Sequence, residues 1–136
     1  MSRASQFQLS VVTPEGAVLE TAATSVVFPA YDGEYGIQPN HAPLVTLLGI
    51  GELRVQRADG GRERYYVDGG FAQFGDNKLA LLTEQARPVA ELSKTAADSL
   101  LQEARSMPGG DQEATAVRQA TYERAWVQKR LLARNG

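Results

Sequence analysis

The feature that most constrains this chain is a change of hydrophobic period. From Phe7 to Thr83 apolar residues alternate with polar ones in short runs; after Pro88 they recur at intervals of three and four. Alternation places every second side chain on one face of a strand, whereas the longer spacing builds an apolar stripe along a helix. The first run sets the pattern: Phe7, Leu9 and Val11 alternate with Gln6, Gln8 and Ser10. Pro14-Glu15-Gly16 then forms a turn, and 17–21 and 25–28 read as two further short strands. Asp59-Gly60-Gly61 joins 52–57 to 62–68 as the clearest hairpin, and Gly75-Asp76-Asn77 separates 71–74 from 78–83. Eight to ten short strands with turns every eight to twelve residues predict a β-sandwich or barrel over residues 1–86.

Residues 87–136 predict an antiparallel two-helix hairpin. Leu92, Ala96, Ala97, Leu100, Leu101 and Ala104 form the stripe of its first helix, and 107–111, Met-Pro-Gly-Gly-Asp, stops that helix and offers Asp111 as N-cap of the second. Ala116, Ala120, Val127 and Leu131 form the second stripe. A seam this rich in alanine buries little area per residue, so the hairpin is held weakly.

Between these regions of regular pattern lies Gly33–Gly51, GEYGIQPNHAPLVTLLGIG. Four glycines, two prolines and the chain's one histidine exclude a helix, and the block Leu44, Val45, Thr46, Leu47, Leu48 and Ile50 predicts a buried corner. Gly33 and Gly36 are the positions expected to use backbone angles closed to other residues.

Composition narrows function. The chain has 136 residues, no cysteine and a net charge of −2. Disulfides, thiolate catalysis and sulfur-ligated zinc are excluded, one histidine argues against a histidine metal site, and the charge argues against a nucleic-acid partner. No apolar run is long enough to span a bilayer, and the N-terminus reads as neither a signal nor a transit segment. Direct membrane insertion is not expected. Charge is unevenly distributed: residues 1–86 carry six basic and ten acidic side chains, and 87–136 carry eight and six.

His41 is the obvious catalytic suspect, but no serine or cysteine stands in motif context with it, so a structural hydrogen bond or a partner contact is the stronger reading. The glycines lack phosphate-loop spacing. Asp32 and Glu34 read as solvated carboxylates at a turn. Arg118, Arg124, Lys129, Arg130 and Arg134 read as a solvated helix exterior with cations favourably near its C-terminus.

The run Gly33-Glu34-Tyr35-Gly36-Ile37, then Pro39, His41-Ala42-Pro43-Leu44-Val45-Thr46, Leu48 and Gly51-Glu52-Leu53, resembles the signature of the epsilon subunit of rotary F-type ATP synthases, called delta in mitochondria. Val67-Asp68-Gly69-Gly70-Phe71-Ala72 is similar to the same family's Gly-Gly-Phe stretch. The resemblance implies a non-enzymatic, cofactor-free rotor subunit of a proton-translocating synthase, peripheral on the cytoplasmic face of a bacterial inner membrane. Its partners would be the gamma subunit of the central stalk, the c-subunit ring and, with the hairpin extended, the catalytic alpha/beta head. Asp32, Glu34, Tyr35 and His41 become candidates for the gamma and c-ring interface. The five basic residues of the last helix become candidates for engaging the head and restraining hydrolysis. Some relatives bind ATP through an apolar-Asp-x-x-Arg-Ala pattern at the first helix. Here Leu92 and Ala97 fit, but Ser93 and Ala96 replace the acid and the arginine, which speaks against nucleotide binding. Two further readings are a freestanding adaptor recruiting an unrelated partner and a small hydrolase built on His41.

Overall fold

The computed structural model describes residues 4–134. The chain divides into two compact units between Pro88 and Val89.

The first unit is a β-sandwich. Nine strands are formed: β1 Phe7–Thr13, β2 Gly16–Ala30, β3 Gly33–Ile37, β4 Leu44–Leu47, β5 Ile50–Arg57, β6 Arg62–Asp68, β7 Phe71–Gly75, β8 Lys78–Leu82 and β9 Ala86–Pro88. They follow the order β4-β7-β8-β1-β2-β5-β6-β9, with β3 paired to β2. Neighbours run antiparallel except β1 and β8, which are parallel and match Leu9 to Leu79 and Val11 to Leu81. The sheet folds over on itself and encloses one core, built from Phe7, Leu9, Val11, Val26, Phe28, Ile37, Leu53, Val55, Val67, Phe74, Leu79 and Leu81 among others. Fully burying a side chain of this size contributes about 1.5–3 kcal/mol, so the inward set drives folding.

Three expectations for this unit change. The runs 17–21 and 25–28 are one strand of fifteen residues, not two. The small and polar residues Ala22, Ala23 and Thr24 between them form no turn; the register with β5 shifts between Ala23 and Ser25, so an irregularity absorbs the break. Gly36 lies in β3 opposite Val27, and of the two glycines only Gly33 takes a positive φ, of 136°. The buried corner is also only partly buried. Leu48 and Ile37 go inside, whereas Val45 and Leu47 are 69% and 62% exposed. β4 occupies the end of the strand order, so alternation turns those two side chains outward.

The second unit contains a short 3-10 turn, Val89–Glu91, and two helices, α1 Lys94–Ser106 and α2 Gln112–Ala133. Each helix begins on a side-chain cap: Ser93 Oγ accepts from Ala96 N, and Asp111 Oδ1 accepts from Ala114 N at 2.7 Å. Within α1 the buried residues are Ala97, Leu101 and Ala104, while Ala96 is exposed and Leu100 half-buried. In α2 they are Thr121, Ala125, Val127, Gln128 and Leu131. The expected α2 stripe is therefore wrong at its N-terminal end, where Ala116 is exposed and Ala120 half-buried. The hydroxyl of Thr121 donates to Val117 O at 2.9 Å, so a threonine enters the interior without an orphaned group.

Candidate functional site

The interface candidates of the Gly-Glu-Tyr-Gly stretch lie along one rim, the β3 edge, with Glu34 and Tyr35 on opposite faces of it. Asp32 lies exposed in the β2–β3 turn and Glu34 follows on β3. Tyr35 stacks on Phe28 with ring centroids 5.6 Å apart, and His41 meets both Tyr35 and Phe74 edge-on at 5.7 and 5.9 Å. His41 Nδ1 donates to Ala42 O at 2.7 Å, which leaves Nε2 to accept from the Tyr35 hydroxyl at 3.4 Å. The imidazole thus braces the corner.

Asparagines fix the same corner from behind. Asn40 takes a positive φ of 67°, a conformation asparagine tolerates. Its backbone N donates to Asn77 Oδ1 at 2.6 Å, and Asn77 Nδ2 returns a bond to Asn40 Oδ1. Asn40 Nδ2 also donates to Ala4 O at 2.7 Å. The β7–β8 turn and the segment before β1 therefore hold the His41 loop in place.

Glu34 is anchored by charge. Arg54 Nη1 donates to Glu34 Oε2 at 2.7 Å and to Glu52 Oε1 at 3.0 Å, and Arg64 Nε donates to Glu52 Oε2 at 2.6 Å. The two carboxylates hold the Arg54 guanidinium above its ordinary pKa, Glu34 contributing first. Glu52 is 6% exposed, which is possible for a carboxylate because it is paired twice.

A second surface was not foreseen. Leu47, Phe71 and Leu82 stand in register across β4, β7 and β8 and are 62%, 40% and 40% exposed. Val45 continues this band along β4, opposite Gln73. A clue was present in the sequence, since β4 carries apolar residues on both faces. An antiparallel strand with only one face in the core has no need of that.

On the hairpin, Lys129 and Arg118 each make contacts within the unit. Lys129 Nζ donates to Asp98 Oδ1 at 2.7 Å and lies 5.7 Å above the Trp126 ring. Arg118 Nε donates to Ala104 O, its guanidinium 5.4 Å above Tyr122. The bond from Lys129 is the main reason the Asp98 carboxyl titrates below its ordinary value. Arg124 is half-buried, and Arg130 and Arg134 are exposed near the C-terminal end of α2. Of the four residues weighed for nucleotide contact, Leu92 and Ala97 are buried, Ser93 caps α1 and Ala96 is exposed.

Among the described residues no group of three or more His, Cys, Asp or Glu stands together as a metal site, and no helix is long and apolar enough to cross a membrane. What the surface offers is a polar rim and an apolar band on a sandwich, with a basic helical hairpin attached.

Comparison with known proteins narrows this. A family model described as the β-sandwich domain of the ATP synthase delta/epsilon chain matches residues 6–89. The ATP synthase epsilon chain of Rhodopirellula baltica is 43% identical over 120 residues, covering 88% of this chain and 93% of the relative. That of Granulibacter bethesdensis is 41% identical over 99 residues, 73% of each chain. This chain belongs to the ATP synthase delta/epsilon chain family. Its fold is shared with a chain from the mitochondrial ATP synthase of Euglena gracilis, with a TM-score of 0.85 at 22% identity over 97% of this chain and 84% of that one. A chain from the central stalk and c-ring structure of the Tetrahymena thermophila mitochondrial ATP synthase gives 0.76 at 11% identity over 97% and 99%.

Proposed function

We propose that this chain is a non-catalytic rotor subunit of a proton-translocating F-type ATP synthase, peripheral on the cytoplasmic face of a bacterial membrane. The observation that carries the reading is the exposed band of Val45, Leu47, Phe71 and Leu82 on a member of this family. Large apolar side chains in register on an outer sheet face mark an interaction site. The gamma subunit of the central stalk is the partner assigned to this band. The neighbouring rim of Asp32, Glu34, Tyr35 and His41 is assigned to the interface with gamma and the c-ring, its Glu34 edge to the c-ring side. With both surfaces on one sandwich, rotation of the ring passes to the stalk through a closely packed core that resists shear.

The hairpin is assigned a regulatory role. Its seam contains Ala97, Ala104 and Ala125, so little apolar area holds α1 to α2, and separating them frees Arg118 from Ala104 O and Lys129 from Asp98. In the extended state these cations, with Arg124, Arg130 and Arg134, engage the catalytic head and slow hydrolysis.

Reconstitution tests both assignments. Leu47→Asp places a charge at the centre of the band and weakens binding to a gamma-containing rotor at least tenfold, about 1.4 kcal/mol, without unfolding the sandwich. Deleting residues 89–136 leaves ion-driven synthesis intact and raises the hydrolysis rate. A synthase that couples ion flow to ATP synthesis equally well without the chain refutes the reading.

A further inference from the structure

The rim carboxylate Glu34 belongs to a chain of four alternating charges that crosses from β3 to β6. In order these are Glu34, Arg54, Glu52 and Arg64, with contacts of 2.7, 3.0 and 2.6 Å. Their exposure is graded. The Glu34 side chain is 58% exposed, Arg54 41%, Arg64 28% and Glu52 6%.

This gradient separates the roles of the members. Glu52 is a buried anion, and a buried charge must be paired, so it fixes the position of the Arg54 guanidinium from below. A guanidinium is planar and offers its donors as a rigid fork. Once held by Glu52, that fork reaches both oxygens of Glu34, at 2.7 Å from Nη1 and 3.4 Å from Nη2. Arg54 lies opposite Val27 of β2, and Val27 lies opposite Gly36 of β3. The arginine therefore crosses one intervening strand to reach its partner. Gly36 carries no side chain that could stand between them.

Sheet stability is a poor explanation for the outer pair. Exposed ion pairs contribute little, because water and salt screen them and two long side chains must be ordered. Within these four groups the two guanidiniums balance the two carboxylates. A docking surface gains from such an arrangement in a different way. The side chain is ordered before the partner arrives, and no isolated charge has to be desolvated when it does.

We propose that Arg54, fixed by Glu52, is a positioning residue for Glu34, presenting the rim carboxylate in one orientation as half of a neutral ion pair. The partner groups a neutral pair suits are uncharged donors, not a cationic patch. The inference rests on the assignment of the rim's Glu34 edge to the c-ring side made above, and it adds Arg54 and Glu52, neither of which is among the interface candidates Asp32, Glu34, Tyr35 and His41.

The test is a double-mutant cycle on the full chain, read as affinity for a rotor of gamma and c-ring depleted of this subunit. Glu34→Ala weakens binding about tenfold and Arg54→Met by a similar factor, about 1.4 kcal/mol each. The double variant binds no more than about twofold worse than either single one, because Arg54 acts through Glu34. Arg54→Lys keeps the charge but loses the fork, and recovers only part of the affinity. In the isolated chain, side-chain relaxation of Glu34 measured by NMR shows greater mobility in Arg54→Met than in wild type. Losses that multiply to about a hundredfold in the double variant overturn the proposal, since Arg54 then contacts the partner itself. So does unchanged binding by Glu34→Ala, or unchanged mobility of Glu34 in Arg54→Met. A wild-type chain that does not bind the rotor overturns the rotor assignment as well, which separates the two failures. Should Arg54→Met not fold, Arg54→Lys retains a cation beside Glu52 and carries the cycle.

Discussion

Replacing Gly70 with alanine tests the packing of the sandwich more severely than any change in its core of similar size. Gly70 precedes β7 with φ of 98°, and a Cβ built on it falls 1.8 Å from Leu82 O and 2.8 Å from Leu82 C. Its neighbour Gly69 has φ of 68°, yet a Cβ there meets nothing within 4 Å. The two substitutions share the backbone penalty and differ in the collision. A left-handed conformation costs a non-glycine residue about 1–2 kcal/mol, offset by about 0.4–1 kcal/mol from the stiffer unfolded chain. Gly69→Ala therefore loses about 1 kcal/mol. Gly70→Ala must also push back the β8 backbone, where Phe71 pairs with Leu82, and must disturb the bond from Leu48 N to Gly70 O at 2.9 Å. Forced displacement of packed atoms adds about 1–3 kcal/mol. The total of about 2–4 kcal/mol is a large share of the 5–15 kcal/mol typical of a domain, and lowers Tm by about 10–20 °C. Urea denaturation followed by near-ultraviolet circular dichroism of a Tyr122→Phe background reads the sandwich, which holds Tyr31, Tyr35, Tyr65 and Tyr66; Trp126 fluorescence reads the hairpin separately. If Gly70→Ala lies within about 0.5 kcal/mol of Gly69→Ala, the close approach of Gly70 to β8 is not a constraint and the argument is wrong.

Two further predictions concern the hairpin. Asp98 titrates below its ordinary 3.8 chiefly because it accepts a hydrogen bond from Lys129, so the folded state favours the ionised form. Its stabilising contribution is therefore complete above about pH 4 and disappears as pH falls through the lower folded value. Trp126 fluorescence, next to Lys129, should show this acid transition in the wild-type chain and lose it in Asp98→Asn. Asp111→Ala removes the α2 cap and costs about 1 kcal/mol of hairpin stability in a thermal melt, whereas Asp111→Asn, which keeps an acceptor at Oδ1, stays near wild type.

What could be read directly from the sequence was whatever depends on near neighbours. The alternation of Phe7, Leu9 and Val11 placed them in the core, Asp59-Gly60-Gly61 joined β5 to β6, and Asp111 marked the start of α2. Contacts between distant residues were hidden. Arg54 and Glu34 are twenty positions apart and meet only because β2 lies between their strands. Val45 and Leu47 looked like core because hydrophobicity alone does not say which face of a strand is covered; their outward direction depends on the pairing of β4 with β7. The α2 stripe of Ala116, Ala120, Val127 and Leu131 leaves out Thr121, whose burial depends on a carbonyl that satisfies its hydroxyl and that hydrophobic spacing does not register.

The length of β2 has a mechanical consequence. Its first half pairs with β1, and its second half pairs with β3 on one side and β5 on the other, so a single uninterrupted backbone is stitched to three others by hydrogen bonds. A twisting load entering beside Glu34 leaves along that rib through covalent bonds and ladder amides, which yield far less than two oiled faces sliding past each other. The sandwich is thereby braced like a beam with a continuous chord.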